Sequence, residues 1–217
     1  MRPLYFLLPV LAYLYGSIPY GFLMTKWLKG VDLRQVGSGN IGATNAARVL
    51  GFKFFPAVFL LDFSKGFLPT LIAAHLTASQ TQYHPHPLAV VAALAGMLGH
   101  AFPIYLGFKG GKAVAAGTGA LLVLATWAAL VGVAVWVVVF AIWRYVSLAS
   151  ITAAVAAAVA VWLTLPDPLG SNVFGTAAVT LAAALVIVLH RANIQRLLSG
   201  TEHKIGKGGP TTPPAST

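Results

Sequence analysis

The sequence contains no cysteine and only four acidic residues in 217 positions. Without cysteine there is no disulfide, no thiolate metal ligand and no cysteine nucleophile. A magnesium-dependent kinase needs carboxylates to hold its ion, and the His-Glu-x-x-His motif of a zinc hydrolase is absent. We therefore predict that the protein uses no metal and no cofactor. The acidic residues are Asp32, Asp62, Asp167 and Glu202.

Charge is scarce altogether, because charged residues make up 8% of the chain and hydrophobic residues 58%. A soluble domain carries roughly 25% charged residues, so this chain cannot cover a water-facing surface. Several apolar runs approach or exceed the ~20 residues with which a helix crosses a bilayer. We predict an all-α integral membrane protein, with one domain over residues 1–208 and a disordered tail over 209–217. The apolar runs are 4–25, 54–76, 87–107, 113–143, 146–165 and 172–190.

Basic residues lie in alternate connections between these runs. The first connection, the third connection and the C-terminal segment are rich in lysine and arginine, whereas 77–87 and 166–171 contain neither. Because positively charged loops stay in the cytoplasm, this pattern predicts that the basic connections share the cytoplasmic side. The excess of 14 basic over 4 acidic residues thus indicates membrane topology and contact with lipid headgroups. We expect no nucleic-acid partner.

The run 113–143 is bounded by Lys112 and Arg144, and both of these residues belong on the cytoplasmic side. An even number of crossings is then required, so we predict two short helices that turn near Ala128–Gly132. A single long helix is the alternative. With two crossings the chain has about seven transmembrane helices, an outside N-terminus and a cytoplasmic C-terminus.

The first polar segment, 37–48, reads GSGNIGATNAAR. Its Gly-x-Gly-x-x-Gly spacing mimics a dinucleotide-binding motif, but no strand precedes it, so we reject that function. Glycine lets the backbone approach an anion closely, and the amides that open a helix can donate to a phosphate. A flexible loop before a helix is the alternative. The candidate phosphate-binding residues here are Ser38, Gly39, Asn40, Thr44, Asn45 and Arg48.

In the second polar segment, Lys109 and Lys112 flank Gly110 and Gly111. The spacing is not that of a Walker A loop, but two lysines around paired glycines make a compact cationic turn of phosphate size. A simple positive-inside turn is the alternative.

The third polar segment, 190–208, begins with His190 and Asn193, which lie three residues apart and share a helix face. We interpret them as a joint polar site, whereas the macrodipole and lipid headgroups explain the arginines beside them equally well. Ser147, at another predicted cytoplasmic turn, adds a hydroxyl to the same surface.

Asp62 and Lys65 lie three residues apart within the apolar run 54–76, where they can form an ion pair. Charges inside a membrane are costly and serve either function or the locking of the helix bundle, and both interpretations stay open. His100, at the end of another apolar stretch, fits a hydrogen-bonded structural histidine.

Three anion-binding segments on one side predict a membrane enzyme that acts on one or two phosphorylated substrates. A transporter of phosphorylated solutes is the alternative. It would need polar residues along the outer halves of the helices, and these halves are nearly all alanine, valine and leucine.

Four motifs, taken in order, resemble one known family. GSGNIGATNAAR, DFSKG at 62–66, GHAFPIYLGFKGGKAVA and HRANIQRLLSGTEHKIG are similar to the signature motifs of the bacterial acyl-phosphate:glycerol-3-phosphate acyltransferases, the PlsY family. The resemblance covers about residues 4–208. It implies a seven-helix enzyme of the bacterial inner membrane whose active site faces the cytoplasm.

The resemblance implies transfer of a fatty acyl group from acyl phosphate to the sn-1 hydroxyl of glycerol 3-phosphate, giving lysophosphatidic acid and phosphate for phospholipid synthesis. Its partners would be these two substrates, membrane lipid and a second enzyme that supplies the acyl phosphate. Ser38, Thr44 and Arg48 would help to form a phosphate pocket, and 109–112 a glycine-rich lysine loop, with Ser147 at a further polar position of the family. The implied catalytic residues are Ser38, Arg48, Lys112, His190 and Asn193.

Residue chemistry agrees with this family. An acyl phosphate is already activated, so neither a metal nor a covalent nucleophile is needed, and the chain lacks the His-x4-Asp motif of acyltransferases that use acyl-CoA or acyl carrier protein. We hypothesise that cations and backbone amides orient both phosphates and that a substrate phosphate accepts the hydroxyl proton. His190 is the competing general base.

Overall fold

The computed structural model describes residues 2–78 and 86–206. This part of the chain forms α-helices and short 3-10 turns, and it contains no strand. The predicted tail over 209–217, and most of the predicted outer loop over 77–87, lie outside the described residues. The helices are α1 (Arg2–Gly16), α2 (Tyr20–Lys29), α3 (Ala43–Leu50), α4 (Phe55–Leu76), α5 (Pro87–Ala101), α6 (Val114–Leu124), α7 (Thr126–Trp143), α8 (Val146–Thr164), α9 (Val173–Leu189) and α10 (Arg191–Leu198).

Five helical segments in the described part are long and apolar enough to cross a membrane, and the bent pair α9 and α10 would make a sixth. The pair bends by 57°, and α6 is a shorter apolar helix. Their outer faces carry large apolar side chains, such as Phe6 and Leu163, which are 78% and 80% exposed. Because such continuous apolar surface is unstable in water, the chain is an all-helical integral membrane protein, as predicted. The five segments are Tyr5–Lys29, Phe52–Leu76, Pro87–Leu106, Thr126–Trp143 and Val146–Thr164.

The run 113–143 forms two helices, as predicted, but the predicted turn near Ala128–Gly132 is wrong. The break lies at Ala125, whose extended backbone (φ −154°, ψ 76°) separates helices of 11 and 18 residues. Gly132 instead lies inside α7 and packs against α8, since a Cβ there would be 3.2 Å from that of Ala157. Neither proline nor glycine marks the break at Ala125, so its position was not visible in the sequence.

The first apolar run, over 4–25, forms the single candidate span Tyr5–Lys29, within which a short break separates α1 from α2. Proline lacks an amide hydrogen, and Pro19 directly precedes α2. Helix α2 then continues to Lys29 and ends at Gly30, whose left-handed backbone (φ 69°) places its amide 3.0 Å from the Lys26 carbonyl. The polar segment after α2 leads into α3, which packs against α2 and α4.

Helix α4 lies at the centre of the bundle and packs against α1, α5 and α6. Glycines allow these helices to approach closely. A Cβ on Gly66 would lie 1.9 Å from the Ala116 carbonyl oxygen, and one on Gly96 would lie 2.3 Å from that of Lys65. Such small-residue contacts are the usual means of close packing between helices in a membrane. They bury the polar face of α4 that carries Asp62 and Lys65.

Candidate active site

A polar pocket of about 140 Å³ lies where the connections before α3, α6, α8 and α10 meet. It brings together most of the predicted site residues, although they are up to 155 positions apart in the sequence (Ser38 to Asn193). Gly39, Lys65, Lys109, Gly110 and Gly111 were also predicted but do not line it. Its polar lining residues are Ser38, Asn40, Thr44, Asn45, Arg48, Asp62, His100, Lys112, Ser147, Ser150, His190, Asn193, Glu202 and His203.

Asn45 holds the first wall of the pocket together. Its side-chain oxygen accepts a hydrogen bond from the Ser38 amide (3.1 Å). Gly37 has a left-handed backbone (φ 59°), and a Cβ there would lie 2.3 Å from the same oxygen, so both features favour glycine. The Asn45 amide group is thus occupied by the loop, and the predicted phosphate-binding residue has a structural task. Its nitrogen donates to the carbonyl oxygens of Leu33, Val36 and Asn40.

Two hydroxyls and one guanidinium remain available on this wall. Within the described part of the chain, the side chains of Ser38, Thr44 and Arg48 make no hydrogen bond with the protein. Arg48 lies in the last turn of α3 and faces the pocket half-buried. An anion in the pocket would therefore meet donors that have no competing acceptor.

The paired glycines of the second segment pack against the end of α5. Gly111 donates its amide to the His100 carbonyl (2.9 Å), and a Cβ on Gly111 would lie 1.9 Å from His100 Nε2. Lys109 is exposed and lies outside the pocket lining. Of the two lysines of this segment, only Lys112 lines the pocket, and binding of a phosphate by both stays a prediction.

Glu202 organises the opposite wall and was not among the predicted site residues. Its carboxylate accepts hydrogen bonds from Ser147 Oγ (2.9 Å), Asn193 Nδ2 (2.7 Å) and Arg196 Nε (2.7 Å). Burial would raise the pKa of Glu202, but the hydrogen bonds from Asn193, Arg196 and Ser147 outweigh it, so the pKa is lowered. Asn193 in turn accepts a short hydrogen bond from Lys112. The network joins the start of α8 to α10 and to the loop before α6.

His190 lies at the junction of α9 and α10 and is buried. Its Nδ1 is 2.7 Å from the Val186 carbonyl oxygen. Because a carbonyl can only accept, Nδ1 carries the proton and Nε2 has a free lone pair. His190 and Asn193 both line the pocket, as their spacing predicted, although the helix axis bends between them.

The balance of charge in the pocket leaves two cations without a dedicated counter-ion. Asp62 pairs with Lys65 (2.6 Å) and Glu202 pairs with Arg196 (2.7 Å), and neither of these partner cations lines the pocket. Arg48 and Lys112 do line it. When the partner cations Lys65 and Arg196 are included, four cations stand against two carboxylates in and beside the pocket, an excess that suits phosphate groups.

Residues 6–200 match the family model described as glycerol-3-phosphate acyltransferase. The chain belongs to the glycerol-3-phosphate acyltransferase family. A relative from Roseiflexus is 47% identical over 92% of this chain and 95% of its own, and one from Aquifex aeolicus is 44% identical over 91% and 97%. Both relatives are named glycerol-3-phosphate acyltransferase.

Two solved structures of PlsY (YgiH), described as an integral membrane glycerol 3-phosphate acyltransferase, share the fold. The glycerol 3-phosphate form has a TM-score of 0.83 and 43% identity and covers 93% of this chain and 96% of its own. The lysophosphatidic acid form has a TM-score of 0.81 and 42% identity, with coverages of 93% and 95%. The resemblance of the four motifs is thereby confirmed as family membership.

Four polar residues that line the pocket were not among the predicted site residues: His100, Ser150, Glu202 and His203. Glu202 and His203 lie within the fourth motif, nine and ten positions after Asn193. The chain has only four acidic residues, so the presence of Glu202 in this motif was the available signal of a role in the site. Its position depends on the segment after α10 folding back, which Ile205 secures by donating its amide to the Arg144 carbonyl (3.0 Å).

The kcat/KM of the enzyme should depend on the protonation of Lys112. Burial lowers the pKa of Lys112 to about 8, with Glu202 opposing the shift and Arg196 and Arg48 adding to it. The ammonium is therefore charged below this pH and loses its charge as the pH rises through it. If Lys112 binds phosphate, kcat/KM measured from pH 6 to 10 falls with a midpoint near 8, the value of the free enzyme.

Lys112→Arg is the control for this profile, because a guanidinium stays charged throughout the range. The alkaline fall should disappear in this variant, even where its absolute rate is lower. An unchanged midpoint in Lys112→Arg would show that another group titrates.

Proposed function

We propose that the protein transfers a fatty acyl group from acyl phosphate to the sn-1 hydroxyl of glycerol 3-phosphate, at the cytoplasmic face of a bacterial inner membrane. The observation that carries the proposal is the pair of cations Arg48 and Lys112, which form no ion pair among the described residues and line a pocket that adjoins an apolar cavity. Both proposed substrates bring a phosphate, and one of them also brings a long apolar chain.

The apolar cavity has a volume of about 350 Å³ and is lined by residues of the six helices from α4 to α9. Alanine, valine, leucine and glycine make up most of its wall. It shares five lining residues with the polar pocket, so the two spaces adjoin. An acyl phosphate placed across this junction would put its phosphate among the cations and its chain among apolar side chains. The shared residues are Phe55, Phe59, Val114, Trp136 and Ser150.

The proposed reaction needs only positioning and charge. The sn-1 oxygen attacks the carbonyl carbon of the acyl phosphate, a carbon–oxygen bond forms, and the bond from that carbon to the phosphate oxygen breaks. Arg48 and Lys112 hold the negative charge of the phosphates and of the leaving group. The hydroxyl proton passes to a phosphate oxygen of a substrate. Inorganic phosphate and lysophosphatidic acid leave.

Ser38 and Thr44 would orient the phosphate whose charge Arg48 neutralises, because their hydroxyls lack protein partners in the described chain. Asn193 would place the ammonium of Lys112, to which it is hydrogen-bonded. The free Nε2 of His190 makes this residue the competing proton acceptor.

The identity of the acyl donor tests the proposal directly. Purified protein in detergent or bicelles is offered glycerol 3-phosphate with either palmitoyl phosphate or palmitoyl-CoA. We expect lysophosphatidic acid and an equal amount of phosphate with the first donor and no product with the second. Turnover of acyl-CoA at a similar rate would contradict the proposed donor, and uptake of glycerol 3-phosphate into vesicles without turnover would contradict the enzyme itself.

Variants of the pocket distinguish the two proton acceptors. Arg48→Ala and Lys112→Ala should each lower kcat/KM by about 100-fold or more, the range found when a charge-stabilising donor is removed. His190→Ala should lose only a few-fold if a substrate phosphate is the acceptor. A loss of about 100-fold or more in His190→Ala, with loss of an acidic limb in the pH–rate profile, would instead identify His190 as the general base.

The lining of the apolar cavity predicts that Ala157 limits the length of the acyl chain. Ala157 lines the cavity seven residues after Ser150 on α8, which places Ala157 about 10 Å from the polar pocket along the helix axis. Ala157→Leu should shorten the preferred acyl phosphate while leaving KM for glycerol 3-phosphate unchanged. Ala156→Leu is the matched control because Ala156 does not line the cavity. An unchanged chain-length profile in Ala157→Leu would place the acyl chain elsewhere.

A further inference from the structure

Three titratable side chains meet inside the bundle, and two of them, Asp62 and His100, also line the polar pocket. Lys65 Nζ lies 2.6 Å from Asp62 Oδ1 and 3.2 Å from His100 Nδ1. The three side chains are only 1%, 3% and 4% exposed, in the order Lys65, Asp62 and His100. The ring of Tyr20 on α2 covers the ammonium, 5.0 Å from its centroid. A buried charge cluster of this kind is costly in a membrane protein and marks a functional or organising element.

The ion pair alone cannot lock the bundle, because Asp62 and Lys65 belong to the same helix, α4. The contact that crosses between helices is made by His100, in the last turn of α5. Nδ1 of His100 faces both members of the ion pair, 3.2 Å from Lys65 Nζ and 3.5 Å from Asp62 Oδ1. The ion pair therefore fixes the orientation of this imidazole.

The other edge of the His100 ring faces the glycine-rich segment. A Cβ on Gly111 would lie 1.9 Å from Nε2 and 2.7 Å from Cδ2. The backbone of His100 holds the same segment, because its carbonyl accepts from the Gly111 amide (2.9 Å) and would be 2.3 Å from a Cβ on Gly110. The next residue, Lys112, reaches Asn193 in the pocket.

We propose that Asp62 and Lys65 hold His100 as a rigid seat for the Gly110–Gly111 turn, and that this seat sets the position of Lys112 in the pocket. The three residues are positioning residues, since they act through the turn. The inference rests on the proposed role of Lys112 in holding a substrate phosphate. It assigns the two glycines to packing on His100 in place of direct contact with an anion.

Variants that remove the ion pair without leaving an unpaired charge can separate positioning of Lys112 from a contribution to stability alone. The double variant Asp62→Asn/Lys65→Met keeps side-chain volume and removes both charges. His100→Leu removes the seat, whereas His100→Asn keeps an acceptor near the position of Nδ1. Thr70→Val is the matched control, because Thr70 is buried on α4 and bonds only the Gly66 carbonyl (2.6 Å).

We expect His100→Leu and the double variant to raise KM for glycerol 3-phosphate or acyl phosphate about tenfold, because small displacements of a binding group are costly. Thermal unfolding midpoints in detergent should stay close to that of Thr70→Val. His100→Asn should recover part of the lost affinity. Folded variants with the KM values of the unaltered protein would overturn the proposal.

Limited trypsin digestion gives a second readout that needs no turnover. Without its seat, the turn should be cut after Lys109 about tenfold faster in folded His100→Leu than in Thr70→Val, since cleavage reports local opening. Equal cleavage rates would overturn the seat even if the enzyme had no acyl phosphate activity. Conversely, absence of turnover in both the unaltered protein and Thr70→Val would refute the proposed function and leave the digestion result to decide on the seat. Should the double variant not fold, the comparison of His100→Asn with His100→Leu still decides, because neither leaves an unpaired charge.

Discussion

The cost of placing charge in hydrocarbon governs the arrangement of this protein. Asp62 has Lys65 beside it, and Glu202 has Arg196, so each of these buried carboxylates is neutralised locally. Arg48 and Lys112 have no such dedicated partner and lie where the bundle opens into a polar pocket. Charge that the protein does not compensate is thereby confined to the place where an anionic substrate can compensate it.

Glycine has three different tasks in this chain. Gly37 adopts a left-handed backbone and leaves room for Asn45, and Gly66 lets α4 approach α6 closely. Gly111 makes room for the imidazole of His100. The sequence analysis treated Gly111 as a candidate for contact with an anion, and in the structure this glycine packs against His100. The glycines shape the pocket and the polar residues around it supply the donors.

The adjoining polar pocket and apolar cavity give the molecule an amphipathic interior. Trp136 and Ser150 stand at their junction, where the indole donates to the hydroxyl (3.2 Å). A space of this form suits molecules with a charged head and an apolar chain.

Much of the fold followed from the sequence because hydrophobicity and charge act locally. Apolar runs are long enough to cross a bilayer wherever they occur, so the membrane class and most helices could be predicted. The division of 113–143 followed from the charges at its two ends, but its position at Ala125 did not. That break carries no proline or glycine and depends on how α6 and α7 pack against their neighbours.

By itself, the sequence determined the membrane class, the family and the residue types of the site, because four ordered motifs and the scarcity of acid are visible in one dimension. Only the tertiary structure decided which polar residues share the pocket. Lys109 and Lys112 are three residues apart, yet only Lys112 faces it, and Glu202 reaches Ser147 across 55 positions. Which residue faces a common space depends on backbone direction and on distant segments folding back, and neither is encoded in local spacing.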